Sequence, residues 1–139
     1  MGIAIRLRQE HLDQMIGHAL ADAPVECCGL LASVSGVVVS VHPAKNAEAS
    51  PYRFSIHGLE QRRIEENIDA AGATLAGFYH SHTGSEARPS PTDIRMMNTF
   101  FGPPCVHFVI GVADREHPVA RVFFIEEGAA AEQEFEVVP

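Results

Sequence analysis

The chain has 139 residues, of which 46% are hydrophobic and 20% are charged, a balance typical of globular proteins. This length predicts one domain spanning 1–139, and it excludes architectures such as the β/α barrel, which needs about 200 residues or more. The formal net charge of −8 at pH 7 repels polyanions, so we expect no nucleic acid partner.

Three features of the sequence indicate the cellular compartment. No segment approaches the roughly 18 consecutive apolar residues of a membrane span, and the first residues lack the apolar core of a signal peptide. The three cysteines, Cys27, Cys28 and Cys105, cannot form an even disulfide framework, which favours a reducing compartment. We therefore expect a cytoplasmic protein that contacts no membrane.

The first part of the chain predicts a strand, an amphipathic helix and a β-hairpin. The spacing of apolar residues places a strand at 3–7, a helix at 9–21, and further strands at 27–34 and 37–41. The Ser35-Gly36 pair between the last two runs predicts a tight turn. A loop at 42–53 follows, and it leads into a short extended piece at 52–56.

The rest of the chain predicts two helices and four strands. A second helix between Gly58 and Gly72 carries an apolar stripe formed by Leu59, Ile64, Ile68 and Ala71. The pattern is completed by a strand at 74–82, a loop at 83–91, a helix from Ser90 to about Phe100, and strands at 106–112, 119–125 and 135–138. The small residues of 128–131 predict a break between the last two strands.

Two histidines and a carboxylate form the candidate reactive site. His80 and His82 are two residues apart on a predicted strand, so both imidazoles leave the same face. Asp93 follows after a loop that can fold back and bring its carboxylate to the same point. Such a set suits Zn²⁺, and three protein ligands leave a fourth position open for water. The pattern therefore predicts one catalytic zinc ion per chain.

The spacing of these residues resembles a known motif. The series resembles the JAMM motif of the MPN-plus zinc metalloproteases: it consists of His80-Ser81-His82, then seven residues, Ser90, two further residues and Asp93. Thr83 departs from the proline that is common after the second histidine, at a position outside the ligand set.

Two upstream segments extend the resemblance over most of the chain. The stretch 24–31, which contains Glu26, Cys28 and Gly29, resembles the family's glutamate followed by Cys-Gly at the start of a strand. The stretch 46–54 is similar to the family's connecting segment. The resemblance implies an α+β, or α/β, fold: a central mixed β-sheet, similar to that of cytidine deaminases, flanked by two longer helices and one short helix.

The resemblance also implies a role for each residue of the site. His80, His82 and Asp93 are implied to bind zinc, and Glu26 to act as general base and then as general acid. Ser90 is implied to stabilise the tetrahedral oxyanion with its hydroxyl group.

The family also suggests a substrate. Its members hydrolyse the bond after the C-terminal glycine of ubiquitin or of a ubiquitin-like protein, and this short chain resembles the minimal stand-alone bacterial and archaeal members. The resemblance implies a metallopeptidase or isopeptidase that releases an amino acid or another amine from the C-terminal tail of a ubiquitin-like sulfur-carrier protein. Small peptides as substrates, and a homodimer, remain open.

Other functions fit parts of the same pattern. A 2-His-1-carboxylate set also occurs in non-haem Fe(II) oxygenases, and a catalytically silent binding module can retain the fold alone. The sequence from Ser90 to Asp93 is also an ordinary capping box at a helix start. Cys28, on the predicted face of Glu26, could act as a nucleophile with a histidine as base, although that mechanism leaves Asp93 unexplained.

Overall fold

The computed structural model describes the backbone of residues 5–100 and 105–139 and the side chains of residues 5–97 and 105–139. This part of the chain forms three helices and one eight-stranded mixed sheet. The helices are α1 (Gln9–Asp22), α2 (Gly58–Ala70) and α3 (Pro91–Phe100), and the strands are β1 (Ile5–Arg8), β2 (Cys28–Val34), β3 (Val37–Ala44), β4 (Thr74–His82), β5 (Val106–Gly111), β6 (Val119–Glu126), β7 (Ala129–Gln133) and β8 (Phe135–Val138). The predicted α+β class, with two longer helices and one short helix, is confirmed.

The sheet places β4 near its centre. The strand order is β7-β6-β5-β4-β2-β3-β1-β8, in which β4 runs parallel to β5 and antiparallel to β2. Cys28, the first residue of β2, is the register partner of His80 near the end of β4. The predicted metal ligands of β4 therefore lie beside the chain segment that enters β2.

Both faces of the sheet are covered by apolar side chains. One cluster joins α1 to the sheet and includes Met15, Tyr79 and Phe108, whereas the cluster on the opposite face includes Phe54 and Phe78. Burial on both faces explains why the strand sequences are almost continuously apolar. None of the described helices combines the length and the apolarity needed to cross a membrane.

The last two strands show that the sheet is curled. In the strand order, β7 and β8 occupy opposite ends, yet Glu134 alone separates them in the chain. Gln133 and Phe135 can therefore be no more than about 7 Å apart. The two ends of the sheet must meet at Glu134, whose carbonyl oxygen accepts a hydrogen bond from the Ile5 N–H of β1 at 3.2 Å.

The prediction of a break at 128–131 is wrong, because β7 begins at Ala129 and pairs with β6. Alanine has a low strand propensity, so the pairing with β6 decides the conformation. The turn between the strands has positive φ at both central residues, 51° at Glu127 and 76° at Gly128. Ser35 and Gly36 have nearly the same values, 52° and 79°, in the predicted β2–β3 hairpin, which is confirmed.

Three smaller expectations need qualification. The piece at 52–56 belongs to no strand of the described chain. Leu59, predicted on the buried stripe of α2, is 66% exposed because it lies in the first turn, outside the contact with the sheet. Residues 3 and 4 of the predicted first strand lie outside the described residues, and β1 begins at Ile5.

Candidate active site

His80, His82 and Asp93 converge at the carboxyl end of β4. The two Nε2 atoms are 3.2 Å apart, and Asp93 Oδ2 lies 3.0 Å from each of them. All three side chains are buried. The strand directs both imidazoles to one face, and the first turn of α3 brings the carboxylate to the same point. The structure thus brings together the three ligands predicted from the spacing.

This arrangement fits a tetrahedral metal ion. With bonds of about 2.0–2.1 Å, the ligand atoms of a tetrahedral zinc site lie about 3.3 Å from one another, close to the separations found here. His82 Nδ1 lies 2.6 Å from the Glu86 carbonyl oxygen, which can only accept, so Nδ1 carries a proton and Nε2 is the nitrogen that the neutral ring can offer to a metal. With Nε2 of both rings deprotonated, three electron-rich atoms would face one buried point, an arrangement that a divalent cation stabilises.

The electrostatics of the cluster favour the metal-binding forms of Asp93 and His80. Burial alone would raise the pKa of Asp93, but hydrogen bonds with His80, His82 and the Ser90 N–H hold that pKa far below its ordinary value. Burial lowers the pKa of His80 against the opposing effect of the carboxylate. Asp93 is therefore ionised and His80 is neutral at pH 7, as ligation requires. Burial alone would lower the pKa of His82, but hydrogen bonds with Asp93 and the Glu86 carbonyl raise it above its ordinary value, so a metal would displace a proton there.

Glu26 lies beside this cluster. One of its carboxylate oxygens and the ring nitrogens of His80 and His82 lie within 4.8 Å of one another. Its side chain is buried, and Oε1 has no hydrogen-bond partner within the described chain. Burial raises the pKa of Glu26 to about 8, although His82 opposes the shift. A carboxyl group of this kind can accept and release a proton near neutral pH, or serve as an additional ligand.

Ser90 caps α3 and faces the same site. Its Oγ accepts the Asp93 N–H at 3.0 Å, and Asp93 Oδ2 accepts the Ser90 N–H at 2.9 Å. The capping box expected from the sequence is therefore present. The capping bond uses an oxygen lone pair, so the hydroxyl hydrogen can still be donated to a group in the cleft.

An open cleft of about 430 Å³ leads to the site. Two loops, around 50–52 and 83–85, form its walls, and its lining residues are Pro24, Glu26, Pro51, Tyr52, His82, Thr83, Gly84, Ser85 and Ser90. Tyr52 is 84% exposed at the rim. A larger groove of about 600 Å³ runs along α2 and contains none of the predicted site residues.

The structure adds two features that the sequence analysis missed. Tyr52 on the cleft wall belongs to an irregular loop, where no periodicity indicates which side chains face a site. Thr83, which replaces the usual proline, donates its hydroxyl to the Pro24 carbonyl at 3.1 Å. This hydrogen bond ties the loop after β4 to the segment that carries Glu26.

Cys28 has the position expected for it but not the chemistry of a nucleophile. It pairs with His80 and packs on the same face as Phe78. Burial raises the pKa of its thiol to about 12, so the thiol remains protonated at neutral pH. The structure therefore argues against a cysteine-nucleophile mechanism.

The fold and the comparisons with known proteins place the chain in a class of hydrolases. Residues 8–125 match the family described as prokaryotic homologs of the JAB domain, and the chain belongs to this family. This match confirms the family resemblance drawn from the motif.

Individual relatives cover most of the chain. It is 32% identical over 135 residues to the CysO-cysteine peptidase of Mycobacterium tuberculosis, covering 95% of this chain and 90% of the relative. It is 36% identical over 96 residues to the desampylase of Haloferax volcanii, covering 64% of this chain and 69% of the relative. The solution structure of a Desulfitobacterium hafniense protein matches with a TM-score of 0.84 and 30% identity, over 96% of this chain and 92% of that one.

Proposed function

We propose that this protein is a zinc-dependent peptidase that cleaves the amide bond after the C-terminal glycine of a ubiquitin-like or sulfur-carrier protein. The observation that carries the proposal is the convergence of His80, His82 and Asp93 beside Glu26 at the base of an open cleft. The names of the mycobacterial and haloarchaeal relatives support a conjugate of such a carrier as the substrate.

Each side chain of the site then has a chemical task. His80, His82 and Asp93 would hold the metal, which when bound supplies Lewis acidity and lowers the pKa of water to about 7. Glu26 takes a proton from the attacking water and delivers it to the leaving amine nitrogen as the carbon–nitrogen bond breaks. Ser90 donates its hydroxyl hydrogen to the developing oxyanion, an interaction worth about 2.7–4 kcal/mol in comparable sites.

The shape of the cleft supports an extended substrate. The walls at 50–52 and 83–85 are loops, and the reactive groups lie between them. A tail with glycines next to the scissile bond brings its backbone close to such groups without side-chain clashes. A carrier protein that ends in glycines, joined to cysteine or to another amine, is therefore the substrate proposed here.

The first test measures metal content and hydrolysis together. Element-resolved mass spectrometry of the purified protein is expected to find about one zinc ion per chain, and none in His82→Ala. His117→Ala changes an exposed histidine outside the cleft and serves as the matched control. The zinc-loaded protein is expected to release cysteine from a carrier–cysteine adduct, as followed by intact mass.

Three other results would contradict the proposal. Stoichiometric iron with oxygen-dependent turnover would favour the oxygenase, and the absence of metal even after zinc is offered would favour a binding module. A zinc-loaded protein that leaves carrier adducts intact would reject the substrate class.

A further inference from the structure

The segment that carries Glu26 is held in an unusual way. Glu26 lies between the end of α1 at Asp22 and the start of β2 at Cys28, so no strand pairing fixes it. Its carboxylate Oε1 has no hydrogen-bond partner within the described chain. The position of this carboxylate therefore depends on how firmly the backbone around residue 26 is held.

Hydrogen bonds from other parts of the chain hold that backbone. The Glu26 N–H donates to the Ser50 carbonyl at 3.0 Å, and the Glu26 carbonyl accepts from Asn46 Nδ2 at 3.0 Å. At the next residue, the Cys27 N–H donates to the Ser81 hydroxyl at 2.8 Å. Within the described chain, Asn46 is therefore the one side chain that forms a hydrogen bond with the backbone of Glu26 itself.

Asn46 uses the full hydrogen-bonding capacity of a side-chain amide. Nδ2 donates to the carbonyl groups of Glu26 and Arg53, both at 3.0 Å, and Oδ1 accepts the N–H groups of Glu48 at 3.0 Å and Ser55 at 3.2 Å. The opposite orientation would set donors against donors, so the partners fix the orientation of the amide. Its side chain is only 6% exposed.

These four bonds connect three parts of the site. Three partners lie in the loop at 46–55, which contributes Tyr52 to the cleft wall, and the fourth partner is Glu26. Next to Arg53, the ring of Phe54 stacks on the imidazole of His80 with centroids 4.4 Å apart. One buried amide thus links the glutamate, the wall of the cleft and a ring that packs on a predicted ligand.

From these contacts we infer that Asn46 is a positioning residue that sets the place of the Glu26 carboxylate relative to the cleft and the metal ligands. The inference deepens the proposed function and rests on it, because it gives Glu26 the role of proton carrier. A displacement of about 1 Å at a reacting group can cost about a hundredfold in rate. A buried amide that contributed stability alone would have no such effect on turnover by the folded protein.

The test replaces Asn46 by aspartate and compares this variant protein with a matched control variant. Asn46→Asp keeps the shape of the side chain but removes both N–H donors and sets a carboxylate against two carbonyl groups. Asn67→Asp makes the same chemical change on the exposed surface of α2 and is the control. Asn46→Ala, which adds no charge, is the second variant if Asn46→Asp folds poorly.

Hydrogen exchange, zinc content and steady-state kinetics are measured on each variant. In Asn46→Asp we expect the amides of Glu26, Glu48 and Ser55 to lose protection, while the amide of Leu30 in the sheet keeps it. Zinc content should equal that of the wild type, and kcat should fall by about tenfold to a hundredfold with KM nearly unchanged. Asn67→Asp should match the wild type in every measurement.

Distinct results would overturn the inference. A wild-type kcat in both Asn46→Asp and Asn46→Ala would show that Asn46 does not position Glu26. Loss of protection throughout the sheet, with turnover lost in proportion to unfolding, would assign Asn46 a purely structural role. A zinc-loaded wild type that cleaves no carrier adduct would contradict the proposed function. In that case hydrogen exchange alone would test the positioning role of Asn46, and retained protection of the Glu26 amide in Asn46→Asp would overturn it.

Discussion

A single hydrogen bond determines which atom His82 offers to the site. Because Nδ1–H donates to the Glu86 carbonyl, Nε2 is the nitrogen that faces His80 and Asp93 and that the neutral ring can offer to a metal. The loop after β4 thus helps to set the geometry of the predicted metal site even though none of the predicted ligands lies in it. Residue type and spacing predicted the ligands, but the carbonyl that orients His82 depends on how this loop folds back.

Glu26→Gln should separate metal binding from proton transfer. The amide keeps the size of the side chain but cannot accept the proton, so we expect kcat to fall by about a hundredfold to ten-thousandfold, while His80, His82 and Asp93 retain zinc. Metal analysis and turnover of a carrier adduct test this prediction. Glu66→Gln on the exposed face of α2 is the control, and wild-type turnover in Glu26→Gln would refute the role of Glu26.

At the scale of elements, Ser90 connects the start of α3 to the chemistry. Ser90→Ala removes the hydroxyl that caps the helix and the donor proposed for the oxyanion. We expect a loss of about 1 kcal/mol in the free energy of unfolding and a fall in kcat of about a hundredfold to a thousandfold. Denaturant unfolding and kinetics measure the two effects. Thr92→Ala, an exposed change in the same turn, should leave both nearly unchanged.

The close contact between β4 and β5 leads to a second prediction at this scale. A Cβ at Gly77 would overlap backbone atoms of Val106, so Gly77→Ala should lower the free energy of unfolding by about 1–3 kcal/mol. A Cβ at Gly17 in α1 would meet nothing within 4 Å, so Gly17→Ala should raise it by about 0.5–1 kcal/mol. Urea unfolding tests the pair, and equal effects would contradict the packing argument.

Elements with strong periodicity or turn chemistry could be predicted from the sequence, and those fixed by tertiary contacts could not. The amphipathic α1 and the Ser35-Gly36 hairpin carry local signals. The strand β7 carries none, since its alanines become extended by pairing with β6. The same division holds in the site, where spacing predicted His80 and Asp93, while the four hydrogen bonds of Asn46 belong to a loop without a regular pattern.

At the scale of the whole molecule, metal binding should be visible in the thermal stability. A ligand that binds the folded state alone, at about 100 times its Kd, adds about 2.7 kcal/mol to the free energy of unfolding. Zinc should therefore raise the Tm of the wild type by several degrees, and a chelator should reverse the rise. Differential scanning calorimetry of wild type and His82→Ala tests this, and an equal shift in both would place the bound zinc elsewhere.

The meeting of the two sheet ends at Glu134 has a consequence for behaviour at high concentration. An open sheet presents two rows of unpaired N–H and C=O groups, which can recruit strands from other molecules. Here one continuous stretch, 129–138, pairs first with β6 and then with β1, so these short strands, rather than β6 and β1, form the two ends of the sheet. Deletion of 129–139 would expose the paired edges of β6 and β1 at once, and we expect such a variant to self-associate more than the wild type, as light scattering would show. We therefore expect the final strands to limit aggregation, although they lie beyond the matched family region at 8–125.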